Sequence, residues 1–466
     1  MSFHQIRANH MTEISDSIAA LRATFDARKT RPEQWRRGQL QRLQAMVEDN
    51  ESDIHEALHA DLGKSGFESR MTETGTVLSE IKHTLAHLKK WMRPKKVSTP
   101  LSNQPGHSRI VSEPLGVVLI IAPWNYPVNL ILTPLIGAIA AGNCAALKPS
   151  EVSSHTSELL ARLIPAYMDP DAIQVFVGGA ETSTELLEQR FDHIFFTGSE
   201  AIGKIVMTAA AKHLTPVTLE LGGKSPCIIH DDCDLEVAAR RVVWGKFLNA
   251  GQTCIAPDYI LVQESVRDAF IARLKASIRE FFGDDPSTSP DYPRLVNERH
   301  FDRVAGLISG GEIALGGETD KASKYIAPTV LTGVDADAAV MREEIFGPVL
   351  PVVTYGAIEE AITFINARPK PLALYLFAKS SQTQDEVIEA TSSGGACIND
   401  VVMHLAVPDL PFGGVGASGM GAYHGRTSFD AFSHAKSVLT KSNYLDVPLR
   451  YPPYTDTKLR WLKRFQ

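Results

Sequence analysis

The chain has 466 residues and a formal net charge of −7, and because a single hydrophobic core stops growing at about 250–300 residues, this length indicates two or more domains. The acidic balance, with a pI of about 6.1, offers no general attraction to phosphate backbones and argues against nucleic acid as a partner. The five cysteines are widely spaced and form no CxxC pair, which argues against a disulfide framework or a metal site and favours a reducing, cytoplasmic compartment.

The N-terminal part of the chain is predicted to be helical. It begins without the apolar stretch that is typical of a secretory signal. Apolar residues recur at helical spacing over 33–60 and over 72–93, with charged residues between them. The polar, proline-broken segment from Pro94 to Pro105 then predicts a loop or an extended excursion.

A stretch without any charged residue runs from Pro114 to Leu147. Its composition is also that of a membrane-spanning helix. Four prolines and three asparagines interrupt it, however, and proline disrupts the interior of a helix. We therefore predict a buried strand, a loop and a buried helix here, rather than one membrane-spanning helix.

Short apolar runs alternate with helical stretches from residue 115 onward. Strands separated by helices of about 10–15 residues predict right-handed βαβ units and a Rossmann-like parallel sheet with helices on both faces. The pattern restarts after Gly223 and predicts a second α/β domain. A strand is expected at 433–441, ahead of a basic, aromatic tail. The predicted strands of the first half are 115–122, 144–148, 173–177, 192–197 and 215–221, and the helices of the second half are 234–250, 265–281, 357–366 and 382–392.

Two segments have the features of a nucleotide site. Lys148 directly follows an apolar run and Glu151 comes three residues later, so at the carboxyl end of a parallel sheet they could contact ribose hydroxyls or phosphate. A solvated helix cap with a surface lysine is the alternative. Gly198, Ser199 and Gly203 lie between a strand and a helix, where free N–H groups bind anions. Because position 200 is Glu and the GxGxxG pattern is incomplete, a simple tight turn explains this segment equally well.

Three further residues could carry chemistry. Cys254 lies in a polar loop that contains glycine and allows access, although most free cysteines are inert core residues. Glu220 ends an apolar strand, where a carboxylate is either paired structurally or kept for acid–base work. Asn125 follows a buried strand; its amide could stabilise an oxyanion, or it could be a turn asparagine beside proline.

From about residue 15 to 445, the chain resembles the aldehyde dehydrogenase superfamily, with seven motifs in the family's order. Within that superfamily it looks most like class 3, which includes coniferyl, fatty and aromatic aldehyde dehydrogenases, because of its short N-terminus and the tail segment LRYPPY. The motifs are PWNYP at 123–127, LKPSE at 147–151, FFTGSEAIG at 195–203, LELGGKSP at 219–226, GQTC at 251–254, EEIFGPV at 343–349 and PFGGVGASGMG at 411–421.

The resemblance implies oxidation of a hydrophobic aldehyde, aromatic or medium to long-chain aliphatic, to its carboxylic acid. It assigns the nucleophile to Cys254, the base that activates the hydrolytic water to Glu220, and the oxyanion amide to Asn125 together with the backbone N–H of Cys254. The reaction then passes through a thiohemiacetal and a thioester, and no metal is implied. The cofactor-binding residues implied in the same way are Trp124, Lys148, Glu151, Gly198, Ser199, Gly203, Glu344 and Phe346.

The cofactor expected from the resemblance is NAD. Glu151 in a ribose-binding position would repel a 2′-phosphate, although class 3 members with this glutamate also accept NADP. Two alternatives remain open: an enzyme that passes the acyl group to coenzyme A, and a catalytically silent relative that only binds NAD. The presence of Glu220 argues against the first, and the intact set of Cys254, Glu220 and Asn125 argues against the second.

The resemblance also implies a domain plan and a homodimer. We expect an NAD-binding domain, a catalytic domain and a small β element that joins two subunits. The basic tail could pack across the dimer, or its amphipathic pattern could lie on a membrane, and we favour the first. The expected limits are 1–94 and 113–220 for the NAD-binding domain, 221–425 for the catalytic domain, 95–112 and 433–445 for the β element, and 446–466 for the tail.

Overall fold

A computed structural model of the chain describes residues 3–446 and 448–465, so Val447 and Gln466 of the predicted tail lie outside the described residues. The two regions predicted to be helical, 33–60 and 72–93, are helical, and a further helix precedes them. The region expected to be helical over 33–60 is two helices, because the backbone of Asn50 leaves the helical conformation at φ −115° and ψ 22°. Helices α1 to α5 span Phe3–Asp26, Glu33–Asp49, Glu51–Leu62, Gly66–Ser69 and Gly75–Trp91, with a π-helical turn at Arg70–Thr74 before α5.

The segment after α5 forms an antiparallel hairpin, with β1 at Lys95–Val97 and β2 at Gly106–Pro114. The chain then enters the first large sheet. Its strands are β3 (Val117–Ile121), β4 (Cys144–Lys148), β5 (Ile173–Val175), β6 (His193–Gly198) and β7 (Val217–Leu221), and the helices between them are α6 (Asn129–Ala141), α7 (Ser154–Tyr167), α8 (Ala180–Glu188) and α9 (Glu200–Ala211).

The uncharged segment from Pro114 to Leu147 is part of the core of this unit. Every residue of β3 is buried, and so are all residues of α6 after its first two. The prediction of a buried strand, a loop and a buried helix is confirmed. In the described part of the chain, no helix combines the length and the apolar character that crossing a bilayer requires.

The order of the parallel strands explains where a ligand can bind. The sheet runs β7-β6-β3-β4-β5, so the direction of winding reverses between β3 and β6. Open parallel sheets bind ligands beyond the carboxyl ends of the strands at such a reversal. Trp124 and Asn125 follow β3, and Gly198 ends β6. The predicted site residues therefore lie at the ligand-binding edge of a Rossmann-like sheet.

The second unit is another α/β sheet, as predicted. Its strand order is β10-β13-β14-β9-β8-β15-β16, in which only β10 is antiparallel to its neighbour. Strands β8 to β16 are Pro226–Ile229, Tyr259–Gln263, Glu312–Leu315, Thr319–Asp320, Tyr325–Ile326, Thr329–Thr332, Val349–Tyr355, Ala373–Phe377 and Gly395–Ile398; helices α10 to α15 are Leu235–Phe247, Arg267–Phe282, Glu298–Leu307, Ala339–Arg342, Ile358–Asn366 and Ser381–Ala390.

The last part of the chain pairs with the first sheet and with the β1–β2 hairpin. Strand β17 (Gly419–Met420) pairs antiparallel with β7 and places Gly419 opposite Glu220. After α16 (Gly425–Ala431), the predicted strand at 433–441 is confirmed as β18 (Ser433–Lys441), which pairs with β2 along its whole length. Because β17 belongs to the first sheet, we propose that the catalytic unit ends before residue 419 rather than at 425. Helix α17 (Asp456–Phe465) closes the described chain.

Candidate active site

The loop that carries Cys254 has a strained backbone. Asn249 and Ala250 have φ angles of 51° and 52°, and Gly251 follows with 75°. A residue with a side chain pays about 1–3 kcal/mol for such a conformation, and this strain persists only where the surroundings impose it. Cys254 itself is partly exposed, while Cys144, Cys227 and Cys233 are buried. Cys397 is also partly exposed, but of these two thiols only that of Cys254 follows a tightly constrained turn.

The surroundings of the Cys254 thiol oppose its ionisation in the resting site. Burial raises its pKa most, and the carboxyl groups of Glu344 and Glu220 raise it further. The backbone N–H groups of Cys254 and Ile255 act in the opposite direction, because they donate to the sulfur and favour the thiolate. The thiol is thus held as a neutral group beside carboxyls that can exchange protons.

Glu220 is a buried carboxyl group without a hydrogen-bond partner. It lies in β7 with 3% of its surface exposed, and neither carboxylate oxygen has a partner within the described residues. Burial raises the pKa of this carboxyl well above its usual range. Perturbed and unsatisfied carboxyls of this kind concentrate at functional sites. Glu220 and Cys254 are close enough for their charges to interact.

Asn125 lies against the cysteine loop. Its side-chain amide donates to the carbonyl oxygen of Gln252 at 3.0 Å, two residues before Cys254. Its own main-chain carbonyl accepts from the Asn249 amide at 2.8 Å. Tyr126, the next residue, also contacts the cysteine loop, because its hydroxyl is 2.6 Å from the Thr253 hydroxyl. The structure therefore brings together the turn after β3, the cysteine loop and Glu220, as the resemblance implies.

A buried polar network behind this loop is absent from the sequence-based prediction. Glu68 accepts the backbone N–H of Asn249 at 2.9 Å, and burial raises its pKa to about 7. The Gln252 side chain donates to the Asn249 carbonyl at 2.9 Å and accepts from the Val296 N–H at 3.0 Å. These contacts join positions up to 181 residues apart, so no local spacing in the sequence could indicate them.

Lys148 and Glu151 lie together at the end of β4. Lys148 has 2% of its surface exposed, and its Nζ donates to the Pro149 carbonyl at 2.7 Å and to Glu151 Oε2 at 3.1 Å. The Glu151 side chain is 49% exposed. A Cβ atom at Gly179, which precedes α8, would lie 4.0 Å from the Glu151 side chain. This edge of the sheet therefore presents a half-exposed carboxylate beside the backbone of a glycine.

The turn between β6 and α9 leaves backbone donors free. Ser199 is the N-cap of α9 but makes no side-chain capping bond, so N–H groups of the first turn keep their capacity to bind an anion. Gly203 has a different contact, because a Cβ there would lie 2.8 Å from the Leu221 side chain. Gly203 lets α9 pack closely on β7. Its contact with a cofactor stays a proposal, as does that of Gly198.

Trp124 and Phe346 lie in contact, and the carboxyl of Glu344 is close enough to Cys254 for their charges to interact. The Trp124 ring lies 5.4 Å from Phe346 and 4.8 Å from His300, measured between centroids. Burial, followed by the charge of Asp258, raises the pKa of Glu344 to about 8, and its Oε1 has no partner within the described residues. A Cβ at Gly222 would lie 1.9 Å from Glu344 Oε2, so only glycine leaves room for this carboxyl.

These residues fit a dinucleotide. Free N–H groups at the start of α9 suit a pyrophosphate, and the half-free carboxylate of Glu151 suits ribose hydroxyls. The unsatisfied Glu344 carboxyl, whose charge acts on Cys254, offers an acceptor, and the edge-to-face Trp124–Phe346 pair offers apolar ring surface. Exposed Ile202 and Ile205 on α9 add apolar surface beside the anion site. Groups that suit the different parts of a dinucleotide thus extend from the carboxyl edge of the sheet to the Cys254 thiol.

Comparison with known proteins identifies the family of the chain. The model of the aldehyde dehydrogenase family matches residues 2–438. The rat protein named "Aldehyde dehydrogenase, dimeric NADP-preferring" is 53% identical over 95% of this chain and 98% of its own length. The substrate-bound structure of AldH from Staphylococcus aureus has a TM-score of 0.95 and 48% identity, covering 97% of this chain and 99% of that one.

A second solved structure supports the same assignment. The NAD-dependent aldehyde dehydrogenase from Sinorhizobium meliloti has a TM-score of 0.85 and 31% identity, over 96% of this chain and 89% of that one. The relatives are named for NAD and for NADP, and the dinucleotide edge described above is present here. The chain therefore belongs to the aldehyde dehydrogenase family and is an enzyme that oxidises an aldehyde with NAD(P).

Proposed function

We propose that this enzyme converts its aldehyde to the free carboxylic acid through a thioester on Cys254, and that Glu220 activates the hydrolytic water. The observation that carries this proposal is the unpartnered, buried Glu220 carboxyl with its raised pKa beside a partly exposed thiol. A general base works best when its pKa lies near the operating pH, and burial moves a carboxyl in that direction.

The first half-reaction releases the Cys254 thiol proton to solvent and forms a bond between Cys254 Sγ and the carbonyl carbon. An aldehyde does not easily lose a hydride, but addition of the thiolate gives a tetrahedral thiohemiacetal whose oxyanion can expel one. Asn125 Nδ2 and the backbone N–H of Cys254 stabilise that oxyanion. A bound nicotinamide cofactor would supply the hydride acceptor, and the acyl group would then remain on Cys254 Sγ as a thioester.

The second half-reaction consumes water. Glu220 takes a proton from a water molecule, whose oxygen attacks the thioester carbon. The C–S bond breaks, the acid leaves, and the sulfur receives the proton that Glu220 took from the water. The tetrahedral charge is again met by Asn125 and the Cys254 N–H, so the same donors serve both steps.

For the cofactor, we assign the ribose of the adenosine half to Lys148 and Glu151, the pyrophosphate to the turn of Gly198, Ser199 and Gly203, and the nicotinamide half to Glu344, Phe346 and Trp124. Glu151 disfavours a 2′-phosphate by charge repulsion. It is half exposed, however, so the repulsion is screened and NADP remains usable. NAD is the preferred cofactor in this proposal, even though the rat relative is named NADP-preferring.

The substrate in this proposal is a hydrophobic aldehyde. Tyr126 and Tyr423 are buried to 7% and 2% exposure, and the charge of Cys254 affects the pKa of both hydroxyls. Two buried rings near the thiol favour aromatic and longer aliphatic groups over short polar ones. The exposed strand β18 on β2 is the surface that we assign to a homodimer, since the rat relative is named dimeric.

The five free thiols agree with the proposed cytoplasmic location. The tail, with α17, belongs to the dimer in this proposal rather than to a membrane. Sedimentation with anionic liposomes tests this point, using the full chain beside a version that ends at Leu449. Equal sedimentation is expected. Binding of the full chain alone would overturn it.

The central test follows absorbance at 340 nm with NAD and benzaldehyde, coniferyl aldehyde, hexanal or decanal. Wild type is expected to form NADH and the free acid without coenzyme A, and Cys254→Ala to form none. Wild-type turnover by Cys254→Ala would overturn the nucleophile. Activity only with coenzyme A would favour the acylating alternative, and NAD binding without turnover on any aldehyde would favour the silent one.

A further inference from the structure

A fully buried ion pair lies behind the turn that carries Asn125. Lys64 and Glu73 each have 0% side-chain exposure, and Lys64 Nζ is 2.8 Å from Glu73 Oε1. The same Nζ donates to the main-chain carbonyl of Asn125 at 3.0 Å. It also lies 3.9 Å from the centre of the Tyr126 ring. None of the steps proposed above uses this pair.

Glu73 holds the other side of the same turn. Its Oε2 accepts the backbone N–H groups of Val128 at 3.1 Å and of Asn129 at 2.8 Å, where α6 begins. The ion pair therefore contacts the carbonyl of Asn125 and the first donors of the following helix. The short connection between β3 and α6 is fixed from both ends by two charged groups that solvent does not reach.

The amide of Asn125 is fixed separately, by the carbonyl of Gln252 at 3.0 Å. The position of that amide relative to the Cys254 sulfur thus depends on three contacts. Lys64 and the Asn249 side-chain amide both donate to the main-chain carbonyl of Asn125, and the cysteine loop holds its side chain. Displacement of a reacting group by about 1 Å can cost a factor of about 10² in rate. Loss of any of these contacts should therefore slow the reaction.

Stability is a weak reason to keep such a pair, because replacing a buried ion pair by apolar groups of similar size is often neutral or stabilising. We infer that Lys64 is a positioning residue, which holds the main chain of Asn125 so that its amide meets the oxyanion of the Cys254 adduct. This inference rests on the proposed function of Asn125. Lys64 does not touch the reacting atoms and acts only through Asn125.

The test is a double-mutant cycle on NADH formation in a single turnover, with enzyme in excess over aldehyde. The variant Lys64→Met/Glu73→Gln removes both charges, so it leaves no unpaired buried ion. In the wild-type background we expect a 10- to 100-fold slower turnover, by about the loss that misplacement of a reacting group causes, with unchanged NAD affinity. In the Asn125→Ala background we expect no further loss, since the group that Lys64 positions is gone.

Arg36→Met is the matched control. Arg36 is also buried, at 6% exposure, and donates to the carbonyl of Ala140 at 2.8 Å, near the far end of α6. Any loss that it causes should be the same factor with and without Asn125. A loss from Lys64→Met/Glu73→Gln that is equally large in both backgrounds would overturn the inference. If Asn125→Ala alone keeps the wild-type rate, the proposed oxyanion role fails instead.

A second variant covers the case in which the double variant does not fold. Lys64→Gln keeps a donor that can reach the Asn125 carbonyl, and circular dichroism checks its fold. It should lose less activity than Lys64→Met, and its loss should also vanish in the Asn125→Ala background. Equal losses for Lys64→Gln and Lys64→Met, repeated without Asn125, would point to a purely structural role.

Discussion

Two buried carboxyl groups, one behind the Asn125 turn and one beside Cys254, have opposite surroundings. Glu73, in the scaffold behind the site, is fully enclosed and accepts from Lys64 and from the N–H groups of Val128 and Asn129. Glu220, in the reaction centre, is nearly as buried, but neither of its oxygens has a partner within the described residues. Burial raises the pKa of both carboxyls, and a neighbouring ammonium group counteracts it only at Glu73.

The difference separates rigidity from reactivity. A satisfied charge in a low dielectric fixes its neighbours, because any movement breaks strong hydrogen bonds. An unsatisfied carboxyl costs stability and is free to change its protonation state. The scaffold therefore holds the oxyanion turn still, and the reaction centre keeps its acid–base group available.

The largest effect is expected for Glu220→Gln. The amide has nearly the same shape but cannot take a proton from water, so the first half-reaction survives while hydrolysis slows by about 10²–10⁴-fold. We expect one equivalent of NADH in a burst at 340 nm, followed by slow turnover. Glu80→Gln is the matched control, since Glu80 is also buried but accepts the N–H of Gly425 at 2.8 Å. Fast steady turnover by Glu220→Gln would remove it as the base.

The next effect concerns stability. Glu73→Leu leaves the Lys64 ammonium buried without its carboxylate, which costs about 3–5 kcal/mol. The thermal midpoint should fall by about 3–5 °C, because a chain of this length has an unfolding entropy of about 1 kcal/mol/K. Glu220→Leu removes an unpartnered group and should lower the midpoint far less, measured side by side by differential scanning fluorimetry at pH 7. Similar drops for the two variants would mean that the difference in hydrogen bonding does not matter.

The contrast also predicts a pH dependence of stability. The folded pKa of Glu220 is raised above its ordinary value of 4.5, so the folded state holds a proton that the unfolded state releases. Its favourable contribution is complete below pH 4.5 and is lost as the pH rises towards the folded pKa, by at most about 1.4 kcal/mol per pH unit. Glu220→Gln should therefore gain stability relative to wild type between pH 5 and 8. A constant difference in thermal midpoint would contradict this.

Much of the fold could be predicted from periodicity. The observed limits of β4 and β18 equal the predicted 144–148 and 433–441, because each strand is bounded by clear changes in pattern. Helix α1 was not predicted, although Ile14, Ile18 and Leu21 are buried at helical spacing. The break at Asn50 depends on one backbone conformation, which spacing cannot reveal.

The site residues likewise divide into those that the sequence indicated and those that it did not. Cys254, Glu220 and Asn125 came from motif resemblance, since nothing in local spacing says that residues 125 and 252 touch. Lys64 and Glu73 were missed, because their significance depends on contacts with a turn about 60 residues away. A buried lysine and a surface lysine look alike in sequence. Only the packing of α3 to α6 distinguishes them.

The smallest effect is expected at the cofactor edge, where Lys148 is buried and Glu151 is half exposed. Glu151 contacts Lys148 and keeps 49% side-chain exposure, so its repulsion of a 2′-phosphate is partly screened. Glu151→Gln should raise kcat/KM for NADP relative to NAD by about tenfold, or about 1.4 kcal/mol, measured at low salt. Raising the ionic strength should reduce the preference of wild type for NAD over NADP but should leave the preference of Glu151→Gln unchanged. The exposed Glu158→Gln on α7 is the control; a shift of equal size there would mean that general surface charge, rather than the ribose position, sets the preference.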